Sequence, residues 1–108
     1  MPLVLRIDRY CVFFWANEGE PLEPVHVHVS EGCPVSHATK IWLLASGRCR
    51  LCRNASRIPE PALRNIMCVP EAYHEEILEK WVTCFFEGSV SFLNTMNEQI
   101  PKNIQTFL

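Results

Sequence analysis

The segment Glu23-Pro24-Val25-His26-Val27-His28-Val29 alternates valine and histidine without interruption once past Pro24. A period of two belongs to a β-strand, so Val25, Val27 and Val29 share one face and His26 and His28 share the other. Such a strand needs a sheet to join and a cover for its valines. The expectation is that the valines face a core while both imidazoles face a groove or solvent, which makes the histidine pair the first candidate for a site.

A chain of 108 residues with 48% hydrophobic and 20% charged residues has the size and composition of one small soluble domain. We assign residues 1–88 to a single domain and residues 89–108 to a C-terminal extension: an edge strand, a dimer arm or a flexible tail. The longest apolar run, Cys11-Val12-Phe13-Phe14-Trp15-Ala16, is far shorter than the roughly 20 residues of a membrane-spanning helix. With no basic segment leading into an apolar one at the start, the chain reads as cytoplasmic. Cys11, Cys33, Cys49, Cys52, Cys68 and Cys84 are then expected as reduced thiols, most of them small buried hydrophobes. A net charge of −2 excludes any global attraction to nucleic acid, although the middle of the chain is basic and the later helix acidic.

Leu3, Leu5 and Ile7 alternate with Val4 and Arg6 as a first strand, Asp8-Arg9 forms a tight turn, and Tyr10 to about Trp15 forms a second strand of aromatic and β-branched residues. Asn17 to Pro21 is a loop by its Asn, Gly and Pro content. The histidine strand follows and ends near Glu31-Gly32; a fourth strand-like segment runs from Val35 to Leu43. Short connections favour antiparallel neighbours, which predicts a meander of about four strands. Pro61 suits the first turn of a helix carrying Leu63, Ile66 and Met67, and Pro70 the first turn of a second. There Tyr73, Ile77, Trp81 and Phe85 make a core-facing stripe, with Gly88 as its stop. The fold class is α+β: an antiparallel meander with two C-terminal helices packed on one face.

The aromatic strand followed by Asn17-Glu18-Gly19, then Glu23 to Val29, then Lys40-Ile41-Trp42-Leu43, and finally Glu75-Glu76-Ile77-Leu78-Glu79-Lys80-Trp81, resembles the bacterial family called domain of unknown function 4160. The resemblance runs from about Pro2 to Gly88. It implies a small protein without an established activity, of a kind associated with toxin–antitoxin systems, and it implies an antitoxin-like protein or RNA as partner. The chain departs from the family pattern in a longer, Arg- and Cys-rich segment from Ser46 to Ser56, in Pro70, and in the tail beyond Gly88. The matching positions form a candidate set of Glu18, His26 and His28, with Lys40 and Trp42 beside them.

Three chemistries fit that set. Two imidazoles two residues apart on a strand, completed by Glu18, resemble a two-histidine, one-carboxylate metal site. Without a metal, one histidine accepts a proton and the other donates one while Arg6 or Lys40 stabilises phosphoryl charge. In the third reading the histidines are structural or serve recognition, bonded to backbone or to Glu18, Glu20 or Glu23. The catalytic assignment is His26, His28, Glu18 and Lys40, with no cofactor and no committed metal site. His37 and His74 read as structural or solvated.

A second signal is Arg48-Cys49-Arg50-Leu51-Cys52-Arg53, followed by Arg57. Its CxxC pair suits zinc or thiol exchange; no second CxxC completes the four ligands of zinc, which leaves Cys33 and His37 as the residues that would have to converge on it, and no βαβ pattern supports redox work. Arg48, Arg50, Arg53 and Arg57 form a loop suited to phosphates of RNA or DNA, unless the acidic helix neutralises them. The resulting expectation is a toxin–antitoxin-type component acting on or binding RNA. The alternatives are a non-enzymatic interaction module, with a homodimer among its forms, and a metal-binding protein using the histidine pair.

Overall fold

The computed structural model describes residues 3–15, 23–85 and 90–93. Five strands, β1 (Leu3–Ile7), β2 (Tyr10–Phe13), β3 (His26–Glu31), β4 (Thr39–Leu43) and β5 (Cys49–Arg53), precede two helices, α1 (Glu60–Ala72) and α2 (His74–Cys84). The strands form one antiparallel sheet in sequence order. The α+β class and the antiparallel meander stand, with one strand more than expected.

Ile7 pairs with Tyr10, so Asp8-Arg9 closes a two-residue hairpin, and Asp8 takes φ +55°, which Asp tolerates better than most residues. Gly32 (φ +83°) turns the chain out of β3, and Gly47 (φ +95°) turns it between β4 and β5. β5 is the correction to the expected arginine loop. An edge strand pairs on one side only, so it survives without strict apolar alternation; Arg50, Leu51, Cys52 and Arg53 are all exposed. The fourth strand is shorter than the alternation from Val35 suggested. Val35, Ser36 and His37 are exposed and the ladder begins at Thr39. Similarly β2 ends at Phe13 rather than near Trp15.

The helix boundary also moves. Pro61 sits in the first turn of α1 as expected, but Pro70 lies inside α1. Its missing N–H removes one helical bond without ending the helix. The chain makes one more bond, Tyr73 N to Val69 O at 2.8 Å, and leaves the helix at Tyr73 (φ −110°, ψ 30°). Tyr73 therefore falls off the stripe and is 48% exposed, while Ile77 and Trp81 remain fully buried. α2 ends at Cys84; Gly88, the expected stop, lies outside the described residues.

One face of the sheet and both helices enclose the main core: Tyr10, Val12, Phe14, Val25, Val27, Val29, Ile41, Leu43, Ile58, Ile66, Ile77 and Trp81. Each fully buried aliphatic side chain contributes about 1.5–3 kcal/mol relative to exposure, so the three valines of the alternating segment are a large part of what seats β3. The chain between β5 and α1 is tied to buried Thr39. The Thr39 hydroxyl donates to Asn54 Oδ1 (2.7 Å) and accepts from Ser56 N (3.1 Å), and the Ser56 hydroxyl donates to Val29 O (3.1 Å). Asn54 closes the turn through Ile58 N and O. Past the helices, Val90 and Phe92 pack against the core and Val25 N donates to Ser91 O at 2.8 Å. Residues 89 and 94–108, the rest of the expected extension, lie outside the described residues.

Candidate functional site

The period-two reading puts the histidines on the face opposite the valines, and the register agrees: Phe13, His28, Lys40 and Arg53 stand side by side across β2 to β5, and His26, Trp42 and Arg50 form the next row. Cross-strand partners in an antiparallel sheet project from the same face. A bulge between Lys40 and Ile41, where the β5 partner jumps from Arg53 to Leu51, is what gives both Arg50 and Arg53 places on it.

That face is not open at the histidines, which corrects the expectation of a groove or solvent. His26 is 0% and His28 4% exposed. The sheet is packed on both faces here, the second one by a small cluster of Cys11, Phe13 and Ala38 with Trp15 against it. Alternation distinguishes the two faces of a strand but does not say that the second is wet. His28 stacks on Phe13 at 5.6 Å, and the His26 ring meets His28, Trp42 and Trp81 edge-on at 4.9, 5.6 and 5.4 Å. His26 Nδ1 lies 2.8 Å from the Pro24 carbonyl oxygen. A carbonyl oxygen only accepts, so Nδ1 donates in this bond and is not the nitrogen that would take a proton from a substrate.

Charge gathers toward β5. Lys40, 6% exposed, is held 4.4 Å over the Trp42 ring and forms a hydrogen-bonded ion pair with Glu23, whose side chain is 46% exposed. The Glu23 carboxyl is 3.9 Å from His26 Nδ1. The Lys40 hydrogen bond above all, then the charges of Lys40, His26 and Arg53, hold it below the ordinary carboxylate value of 4.5 against the opposing effect of burial. A carboxyl whose folded value is depressed contributes stability that is present above its unfolded value and lost as pH falls through the folded one. Wild type is therefore expected to lose part of its advantage over Glu23→Gln as the pH drops from about 5 to about 3. Urea midpoints of the two proteins across that range check it, and a constant gap would remove the ion pair from the account.

The expected residues divide clearly. Lys40, His26, His28, Trp42, Arg50 and Arg53 share one face. Glu18 lies outside the described residues. Arg48 turns toward α1, 3.9 Å from Glu71, Arg57 (φ +57°) sits in the turn before α1, and Arg6 donates to Gly32 O at 2.9 Å beside the β3 turn. The CxxC pair is split: Cys52 is exposed at the bulge, while Cys49 packs against α1, its thiol donating to Met67 O at 3.1 Å and pushed up to about 12 by burial and the Glu71 carboxylate. That thiol holds its proton at neutral pH, which disfavours it as a nucleophile. Among the described residues, no three His, Cys, Asp or Glu side chains gather as a metal site. His74 is structural, its Nε2 2.9 Å from Leu44 O and its ring stacked on Phe92.

The residue that sequence reasoning undervalued is Glu23, grouped there only with acids available to the histidines. Its position directly before the strand was visible; its partner was not, because the pairing depends on the β3–β4 register. An apolar groove of about 530 Å³, lined by Leu5, Ile7, Val69, Tyr73 and Ile77 with Arg6, Glu76 and Lys80 at its rim, lies between β1 and the helices. None of the histidine or β5 arginine residues lines it.

A model of the family described as Domain of unknown function (DUF4160) matches residues 10–82. No curated protein and no solved structure matches the chain. Among the described residues, no helix is long and apolar enough to cross a membrane.

Proposed function

The chain belongs to the DUF4160 family, whose description assigns no activity, and we propose, on the resemblance, that it is a toxin–antitoxin-type component and, from its geometry, that it binds RNA through the β4–β5 margin rather than cleaving it with the histidines. The observation that carries this reading is the register that sets Arg53 beside Lys40 and Arg50 beside Trp42. Two exposed guanidiniums, backed by the half-buried Trp42 indole over which Lys40 is held, offer charge for a phosphodiester backbone. His26 and His28 support that margin from within by fixing Trp42 and the start of β3.

Binding of a single-stranded RNA of about ten nucleotides, followed by fluorescence anisotropy at several salt concentrations, tests it. Arg50→Ala with Arg53→Ala is expected to weaken binding across unrelated sequences and to flatten the salt dependence by roughly one to two phosphate contacts. Arg48→Ala, whose guanidinium faces Glu71, is expected to change little. Equal effects from all three substitutions would mean that only net charge is being read.

The second reading, a non-enzymatic module that binds a cognate protein or a second copy, is favoured by the position of β5 at the sheet's edge. Its signature is loss of complex formation on Leu51→Pro, which removes one edge donor, without loss of RNA binding.

A further inference from the structure

Glu23 and Lys40 are unequal partners. The ammonium is 8% exposed and fixed over Trp42, whereas the carboxylate is 46% exposed and precedes the strand. Arg53 stands next to Lys40 in the ladder and its charge also acts on Glu23. A desolvated ammonium and an exposed guanidinium thus stand side by side on the sheet, while the anion that satisfies the ammonium reaches in from outside the ladder and remains accessible to water. A structural ion pair needs no such surplus of positive charge, and a phosphate, with more acceptor oxygens than a carboxylate, matches it better.

We infer that the niche formed by Lys40, Arg53 and the Trp42 ring is a binding site for a phosphate group, in which the Glu23 carboxylate is a resident, displaceable occupant. The inference rests on the reading of the β4–β5 margin as a phosphate-binding face and adds a specific subsite and its regulation. With Glu23 in place, phosphate competes with a tethered anion; with Glu23 displaced, the buried ammonium needs a replacement. Full affinity therefore requires a ligand with enough additional contacts along Arg50 and Arg53 to displace the carboxylate, which favours a polyphosphodiester over isolated inorganic phosphate.

The test uses the full chain as wild type, Glu23→Gln and Glu23→Ala, with inorganic phosphate as the probe. Titration calorimetry is expected to show phosphate binding at least about tenfold tighter in the variants, and Arg53→Ala in the Glu23→Gln background is expected to cancel the gain. Phosphate is also expected to raise the melting temperature of both variants more than that of wild type, a readout that holds even where a variant is only marginally folded. No rise in affinity or melting temperature in either variant overturns the inference. A rise that survives Arg53→Ala overturns the assigned niche. RNA binding by wild type and by the Arg50→Ala, Arg53→Ala protein is measured in parallel. If wild type binds no RNA yet the phosphate gain appears, the RNA reading fails and the niche stands; if RNA binding depends on the arginines but Glu23 substitution yields no phosphate gain, the niche fails and the RNA reading stands. A gain with 5′-hydroxyl as well as 5′-phosphorylated oligonucleotides assigns the subsite to backbone phosphates, and a gain with the 5′-phosphorylated form alone assigns it to a terminal one.

Discussion

Trp81→Ala is expected to lower the free energy of unfolding by about 3–5 kcal/mol, the largest effect of any single substitution on α2. The indole is fully buried and meets Phe14 at 5.4 Å, Phe85 at 4.5 Å and His26 at 5.4 Å. Removing it opens a cavity that the helix, the sheet and the start of β3 would all have to collapse into. Tyr73, two helical turns earlier on the stripe the sequence suggested, is 48% exposed at the break between α1 and α2. Tyr73→Ala is expected to stay within about 0.5–1 kcal/mol. Urea unfolding followed by circular dichroism measures both, and comparable losses at the two positions would mean that the helix boundary is misplaced.

Much of the fold was legible because most of its signals are local. The hairpin across Asp8-Arg9, the alternation in β3 and the stripe of Ile77 and Trp81 each report a period that the backbone imposes on its own side chains. What was hidden depends on neighbours. β5 has no clean period because an edge strand lies half outside the packed sheet, and its bulge puts Arg50 and Arg53 on one face despite a separation of three. Pro70 suggests a start, since proline is most at home in a helix's first turn. It stands instead in the last turn of α1, where one lost hydrogen bond is tolerated.

For the candidate site the same division holds. The sequence showed that His26 and His28 share a face and that arginines cluster between residues 48 and 57. It did not show that the two signals meet, since that is a consequence of the β4–β5 register. Nor did it show that the histidines lie under cover. Phe13 and Trp15 suit a strand by their type, but a second packed face requires Phe13 to stack on His28 and Ala38 to close beside it, contacts between residues far apart in sequence. The pattern of one strand cannot report its partner's side chains.

Truncating both histidines is expected to affect the fold before any chemistry. His26→Ala removes a ring enclosed by Trp42, Trp81 and His28 and leaves the Pro24 carbonyl without its donor; His28→Ala removes the ring stacked on Phe13. Judged by buried side chains of similar size, each costs about 2–5 kcal/mol, and because the two rings touch, the costs do not simply add. Against a total stability of about 5–15 kcal/mol for a small domain, the double variant is expected to be largely unfolded, so its inactivity would not identify catalysts. His26→Asn is the more informative substitution. Its amide can still donate to the Pro24 carbonyl but cannot shuttle a proton near neutral pH. It is expected to lose stability by only a fraction of the alanine cost and to bind RNA as wild type does. Should wild type degrade RNA while a folded His26→Asn binds it without degrading it, the histidine would be a catalyst after all and the binding-only reading of this face would fail.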